Sequence, residues 1–512
     1  MAKFVSLEEA VGVIKDGDHV LVGGFGSYAS PEELLEGLAA RYESEGHPRK
    51  IGVLCGITPG DKTESTEPGH GYNLGVNRLR ADGLIDVFIA GNLTDARAIA
   101  YMVGENKIAC CLPPLGVMLN LFRAAAAGRP GVLTRVGLRT FADPRLQGCA
   151  FNERAKELGP MVELLEVDGE EYLFYKAFKK ADVAFIRASY ADEDGNLSMV
   201  KEGVLGPELD MAVAVHNRGG TVIAQVEAVV GRGTLPAKQV RVHSTLVDYV
   251  VVAKNPDNHR QCYATAAHRP ELSGEIKLAG DTVKPLKMST RKVLARRGAM
   301  ELRPGVIINL GSGIPSGIGS VAAEEGISGY LSTTVEAGPM GGAVQEGLSF
   351  PGVANAEAMY YQLDTLDMYD GGFIDAAFLG FAEVDESGNT NVSFFAGRAI
   401  GAGGYINISQ NAKKVCFMGT LSSRDGKKFV KQVQHVTFSG DYARNKGQEV
   451  LYITECAVFR LTDGGLELFE VAPGLDIERD ILPQMDFTPL IAPEVATMDP
   501  RLFEEAKMGL DG

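Results

Sequence analysis

The sequence predicts an α/β protein made of two tandem homologous open α/β/α halves with mostly parallel sheets. Three observations carry this expectation. The chain has 512 residues, more than one ordinary hydrophobic core serves, so two domains with a core each are expected. The order helix, turn, apolar strand, glycine loop, helix opens the chain and recurs from Thr290. The segment "DVAFIRASYADEDGN" (182–196) also aligns without gaps on "DAAFLGFAEVDESGN" (375–389), the mark of an internal duplication.

In the first half, Ser6 and Glu9 have capping-box spacing over an amphipathic helix, and Asp16-Gly17 turns the chain. A strand from His19 to Val22 runs into Gly23, Gly24 and Gly26, and a second helix starts at Ser30-Pro31, with Glu33 completing another capping box. The next strand, in "KIGVLCGITPG" (50–60), ends in Cys55-Gly56 with no acid. "MAVAV" (211–215) and "LVDYVVVA" (246–253) read as buried strands, far short of the roughly 20 residues that span a bilayer. In both copies of the duplicated segment, Asp-Gly-Asn or Ser-Gly-Asn after the strand fits a tight hairpin needing positive φ.

"HRPELSGEIKLAGDTVKPLKM" (268–288) loses apolar periodicity and reads as a linker between a first half, 1–267, and a second, 289–512. The second half repeats the plan. A helix precedes the Arg303-Pro304-Gly305 turn, the strand Val306 to Leu310, the loop Gly311-Ser312-Gly313 and a helix near Pro315. A further strand, Ile327 to Val335, ends at Glu336 in "STTVEAGPMGG".

The composition, 45% hydrophobic and 23% charged, is that of an ordinary globular protein. A formal charge of −16 and the absence of Trp argue against a nucleic-acid surface. Seven Cys without CxxC pairs, and a Met1-Ala2-Lys3 start leading into a helix rather than an apolar signal segment, point to a reduced, cytoplasmic protein. Eight dispersed His offer no metal-binding spacing, and neither a metal nor a membrane partner is expected.

Parallel sheets place ligands at the carboxyl ends of their strands, and Glu336 stands at such an end. Glycine loops at Gly23-Gly24, Gly311 to Gly313, "GPMGG" and "GAGGY" (401–405) each follow an expected strand, where bare backbone N–H groups can reach an anion or oxyanion. Tight turns and close helix packing are the alternative for these glycines. A rival reading takes "VIINLGSGIPSG" as a dinucleotide fingerprint with Glu336 on a ribose. The GxGxxxG spacing, Pro315 in the turn and a second glycine loop after the acid all fit that reading poorly.

Seven segments occur in order along the chain: "DGDHVLVGGF", "AAGRPGVLTRVGLRTFADPR", "EEYLFYKAF", "LVDYVVV", "TTVEAGPMGG", "GAGGYINISQNAKKVCFMGTL" and "VAPGLDIERDIL". On these the chain, nearly end to end, resembles the family I CoA-transferases, in particular the acetate/propionate CoA-transferase branch, with both halves fused. The resemblance implies the CoA-transferase fold and a ping-pong exchange of CoA between short carboxylic acids through a glutamyl-CoA thioester on Glu336. It also implies CoA contacts at Gly401, Gly403 and Gly404, with an oxyanion donor at Gly403 or Gly404. CoA enters as part of the substrates, so no separate cofactor is implied. The assembly implied is a homodimer or homotetramer. Glu346, in "GGAVQEGLSF", is the nearest rival acid and reads as a surface carboxylate.

Two positions depart from the family pattern. Ala29 replaces a glycine of the N-terminal signature that spans Asp16 to Pro31, and "PPLG" (113–116) places Leu115 where related enzymes carry a Gln that completes the oxyanion hole. Losing such a donor typically costs 10²–10³ in rate. Thioester hydrolysis and non-catalytic acyl-CoA sensing are therefore the alternatives to transfer.

Overall fold

Asp182 and Asp375 show how alike the two halves are built. Asp182 accepts from His19 N–H at 2.8 Å and donates its own N–H to His19 C=O at 3.0 Å. Asp375 does the same with Ile307, at 2.9 and 3.0 Å. The carboxylate thereby satisfies the first N–H of the neighbouring parallel strand. Ten residues on, the Asp192 carboxylate accepts from the N–H groups of Asp194 and Asn196 and from the Asn196 amide, while Asp385 accepts identically from Ser387 and Asn389. Gly195 and Gly388, at φ +91° and +79°, supply the left-handed turn residue in each hairpin.

The computed structural model describes residues 2–61, 74–279, 285–395, 397–424 and 426–510; the stretch 280–284 of the expected linker lies outside the described residues. One ten-stranded sheet runs in the order Lys3–Phe4, Tyr249–Val252, Thr221–Val230, Val183–Asp192, His19–Val22, Ile51–Cys55, Ile85–Ile89, Ala109–Cys111, all parallel. The short strands Leu197–Ser198 and Val240–Val242 join it antiparallel. The centre of the second ten-stranded sheet repeats that order as Glu449–Ile453, Lys414–Met418, Ala376–Gly380, Ile307–Leu310, Ser332–Thr334, again parallel. Antiparallel strands extend its margins on both sides, and Leu490–Thr497 closes one edge parallel to Gly465–Val471.

Buried apolar residues do not divide into one core per half. Leu21, Leu119 and Ile186 belong to the same cluster as Ile308, Phe378 and Val415, whereas Val20, Val22 and Phe88 form a second cluster. Successive residues of a strand face opposite sides, so one face of the first sheet looks outward and the other toward the second half. The helix Leu115–Ala126 lies on the inward side and packs on both Glu208–His216 and Gln362–Asp370.

Four local expectations need correction. Lys3–Phe4 is a short strand before the first helix, Leu7–Gly12, whose Ser6 cap does accept from Glu9 N–H at 3.1 Å. "MAVAV" is helical, within Glu208–His216: its five residues are too few for periodicity to separate a buried helix from a strand, and Pro207 starts a helix. The Ser30/Glu33 capping box does not form. Pro31 occupies the cap, Ser30 Oγ meets Glu32, and the Glu33 carboxylate accepts from Lys254 and Asn255 N–H. The strand before Glu336 covers only Ser332–Thr334, because Ser328–Tyr330 coil into a 3₁₀ turn. Among the described residues no helix is long and apolar enough to cross a membrane.

Candidate active site

Glu336 stands at the tip of a hairpin that its sequence dictates. The strand Ser332–Thr334, with β-branched Thr333 and Thr334, pairs parallel to Ile307–Leu310, and the chain doubles back through Gly338 to Pro339–Met340. Gly338 has φ +119°, and a Cβ there would collide with Tyr360 C=O, so only glycine closes this turn. Val335 and Ala337 are fully buried and clamp the turn, while Glu336 between them is half-buried and faces a cavity.

The cavity, about 470 Å³, opens between the halves. Phe25, Ile57 and Asn92 line it from the first half, with Glu336, Phe381 and the 401–405 loop from the second. That loop is stitched across the boundary by backbone hydrogen bonds. Leu93 N–H donates to Ile400 C=O at 2.6 Å, Gly403 N–H to Gly91 C=O at 2.8 Å, and Leu115 N–H to Gly403 C=O at 2.9 Å. A Cβ on Gly401 would sit 2.9 Å from Asn92 Cα, so this glycine is required for the two backbones to touch.

The expected oxyanion donor is thereby narrowed. Gly403 N–H is engaged with Gly91, so it is withdrawn as a donor; its carbonyl and φ of +54° instead shape the crossing. Gly404 N–H has no protein acceptor among the described residues, and a Cβ on Gly404 would lie 3.2 Å from Glu336 Cγ. Gly404 also caps the helix Tyr405–Asn411. Leu115 is fully buried, near Gly56, and acts through its backbone bond to Gly403. Ala29 has φ +53°, a conformation in which a side chain costs about 1–2 kcal/mol; this is the position where the family pattern has glycine. The rival acid, Glu346, turns to Arg291 at 2.5 Å and to Ser316 Oγ.

Three neighbours escaped the sequence reading. Asn309, a polar residue inside an otherwise apolar strand, lines the cavity and donates to Thr334 C=O at 3.1 Å. Its position in "VIINLG" was a legible signal. Tyr369 meets Thr334 Oγ1 at 2.7 Å; its phenol is held protonated by burial first and by the Glu336 charge as well. Asn92, at the end of the strand Ile85–Ile89 and its Ala-Gly turn, faces the 401–404 loop. Behind the loop, Ser393 accepts from Ile400 and Gly401 N–H through its carbonyl and meets His435 through its hydroxyl. Burial lowers the His435 pKa to about 4, so this buried Ser–His pair holds the loop as a neutral brace.

A coenzyme A transferase family model matches residues 4–253. A caffeate CoA-transferase from Acetobacterium woodii is 42% identical, over 100% of this chain and 99% of that protein. An acetate CoA-transferase, YdiF, from Escherichia coli K12 is 39% identical over 99% and 96%. The crystal structure of the acyl-CoA transferase YdiF from Escherichia coli O157:H7, solved as a thioester complex with CoA, superposes with a TM-score of 0.91 at 38% identity, covering 100% of this chain and 98% of that one.

Proposed function

The chain belongs to the coenzyme A transferase family and is a CoA-transferase, and from that premise we propose that Glu336 is its covalent nucleophile, acting on short monocarboxylic acids of the acetate and propionate kind. The observation that carries the assignment is the half-buried Glu336 carboxylate facing a cavity between the halves, against the Gly404 backbone.

In this reading Glu336 attacks the thioester carbonyl of an acyl-CoA and expels CoA thiolate, leaving a mixed anhydride. The thiolate attacks the glutamyl carbonyl, releasing the first acid and leaving glutamyl-CoA. A second acid reverses both steps and departs as the new acyl-CoA. Gly404 N–H receives the oxyanion of each tetrahedral intermediate, and Gly401, Gly403 and Gly404 border the CoA. Phe25, Ile57 and Phe381 give the acyl group apolar walls, which supports a monocarboxylate over a second charged group. CoA arrives with the substrates, and no resident cofactor or metal takes part. We place the enzyme in the cytoplasm as a homodimer or homotetramer; seven buried, unpaired cysteines support a reducing compartment.

Labelled acetate tests the reading without a second substrate. Ping-pong transfer exchanges the label into acetyl-CoA with no net reaction, and Glu336→Ala loses that exchange. Release of free CoA at the same rate with and without acceptor acid would instead assign hydrolysis.

A further inference from the structure

Attack by Glu336 forms a bond from a carboxylate oxygen to the thioester carbon and moves the carbonyl π pair onto oxygen. That oxygen needs donors on more than one side, and Gly404 N–H approaches from the second half alone. Asn92 comes from the opposite wall. A Cβ on Gly403 would lie 3.4 Å from Asn92 Nδ2, just as one on the adjacent Gly404 would lie 3.2 Å from Glu336 Cγ, so the amide and the acid abut neighbouring residues of one loop.

The Asn92 side chain is also under-used by the protein. Nδ2 makes one long bond, 3.3 Å, to Thr94 Oγ1, and the buried Oδ1 has no partner. A carboxamide carries two N–H donors, so whichever way the amide is turned, at least one N–H lacks a protein acceptor. Buried polar groups rarely stay unpaired without a role. The backbone of Asn92, in contrast, is fixed: its carbonyl accepts from Thr58 Oγ1, and it forms an antiparallel bridge with Gly401. Leu115, which cannot offer a side-chain donor, leaves this task to another residue.

We propose that the Asn92 amide N–H is the second oxyanion donor, delivered from the first half opposite Gly404 N–H, so that the hole is built from both halves around the 401–404 loop. The proposal rests on Glu336 as the nucleophile.

The test compares Asn92→Ala and the isosteric Asn92→Asp for kcat, KM, CoA affinity and the rapid-quench rate of glutamyl-CoA formation, with Glu336→Gln as control. In both Asn92 variants the rate of adduct formation and kcat should fall 10²–10³-fold, with CoA affinity and thermal midpoint close to those of the parent. A kcat within threefold of the parent in a folded variant of either kind would overturn the assignment. If Ala fails to fold, Asp carries the test, since it fills the same volume. Failure of the Glu336 reading is distinct: Glu336→Gln would then still turn over.

Discussion

Glu336 lies directly against Gly404, whose Cα could not bear a methyl group without bringing it to 3.2 Å from Glu336 Cγ and 3.3 Å from Glu336 Cβ. Gly404 has an ordinary helical φ of −79°, so alanine there meets no backbone strain and acts through its methyl alone.

Gly404→Ala should therefore displace Glu336, the proposed nucleophile, while leaving the fold intact. Small misplacements of reacting groups cost up to 10²-fold, and a loss of at least tenfold in kcat is expected, with thermal midpoint unchanged. Steady-state kinetics beside a melting curve checks this.

Glu346→Ala separates the two acids of the region. The Glu346 carboxylate is half exposed and pairs with a partly exposed Arg291, a contact worth under about 1 kcal/mol. Its removal should leave kcat within twofold, whereas Glu336→Ala should abolish turnover.

Gly116 and Asn407 fasten the halves behind the site. Gly116 N–H donates to Asn407 Oδ1 at 3.1 Å, Asn407 Nδ2 donates to Asp370 at 2.8 Å, and a Cβ on Gly116 would collide with Asn407 Nδ2. Gly116→Ala should destabilise the protein by about 1–3 kcal/mol, as overpacking does, which urea denaturation measures.

Asp370 makes stability depend on pH. Burial pushes its pKa up to about 7 against the lowering by Asn407, above an unfolded value near 4. A carboxyl raised on folding favours the native state fully only below the unfolded value, and that contribution is lost as pH rises through the folded value. Asp370→Asn should gain stability over the parent from pH 4 to pH 8, by on the order of 4 kcal/mol. Melting curves across that range read the difference.

How far the sequence reaches can be seen residue by residue. The Asp192 and Asp385 turns were legible because their contacts are local, and a Gly-Asn hairpin needs the same residues wherever it occurs, whereas the Asp182–His19 and Asp375–Ile307 contacts join segments far apart in the chain and were not. Glu336 was legible as an acid after a β-branched run, before glycines with nothing else to hold. The choice between Gly403 and Gly404 as donor was not legible, because the Gly403 N–H is taken by Gly91, some 300 residues distant along the chain and adjacent only after folding. The same holds for Tyr369, Asn92 and the Glu33 carboxylate, whose partners come from remote segments. "MAVAV" failed for another reason: five apolar residues carry no period, and packing between the sheet and neighbouring helices decided the outcome.

The central claim, covalent catalysis by Glu336, meets its most direct test in intact-protein mass spectrometry after incubation with acetyl-CoA or propionyl-CoA, followed by borohydride reduction and peptide mapping. The expected result is a CoA-sized adduct on the peptide containing "TTVEAG", converted by borohydride to a reduced side chain at position 336 and absent from Glu336→Ala. An adduct on another residue, or none from a broad acyl-CoA panel despite measurable CoA binding, would contradict it.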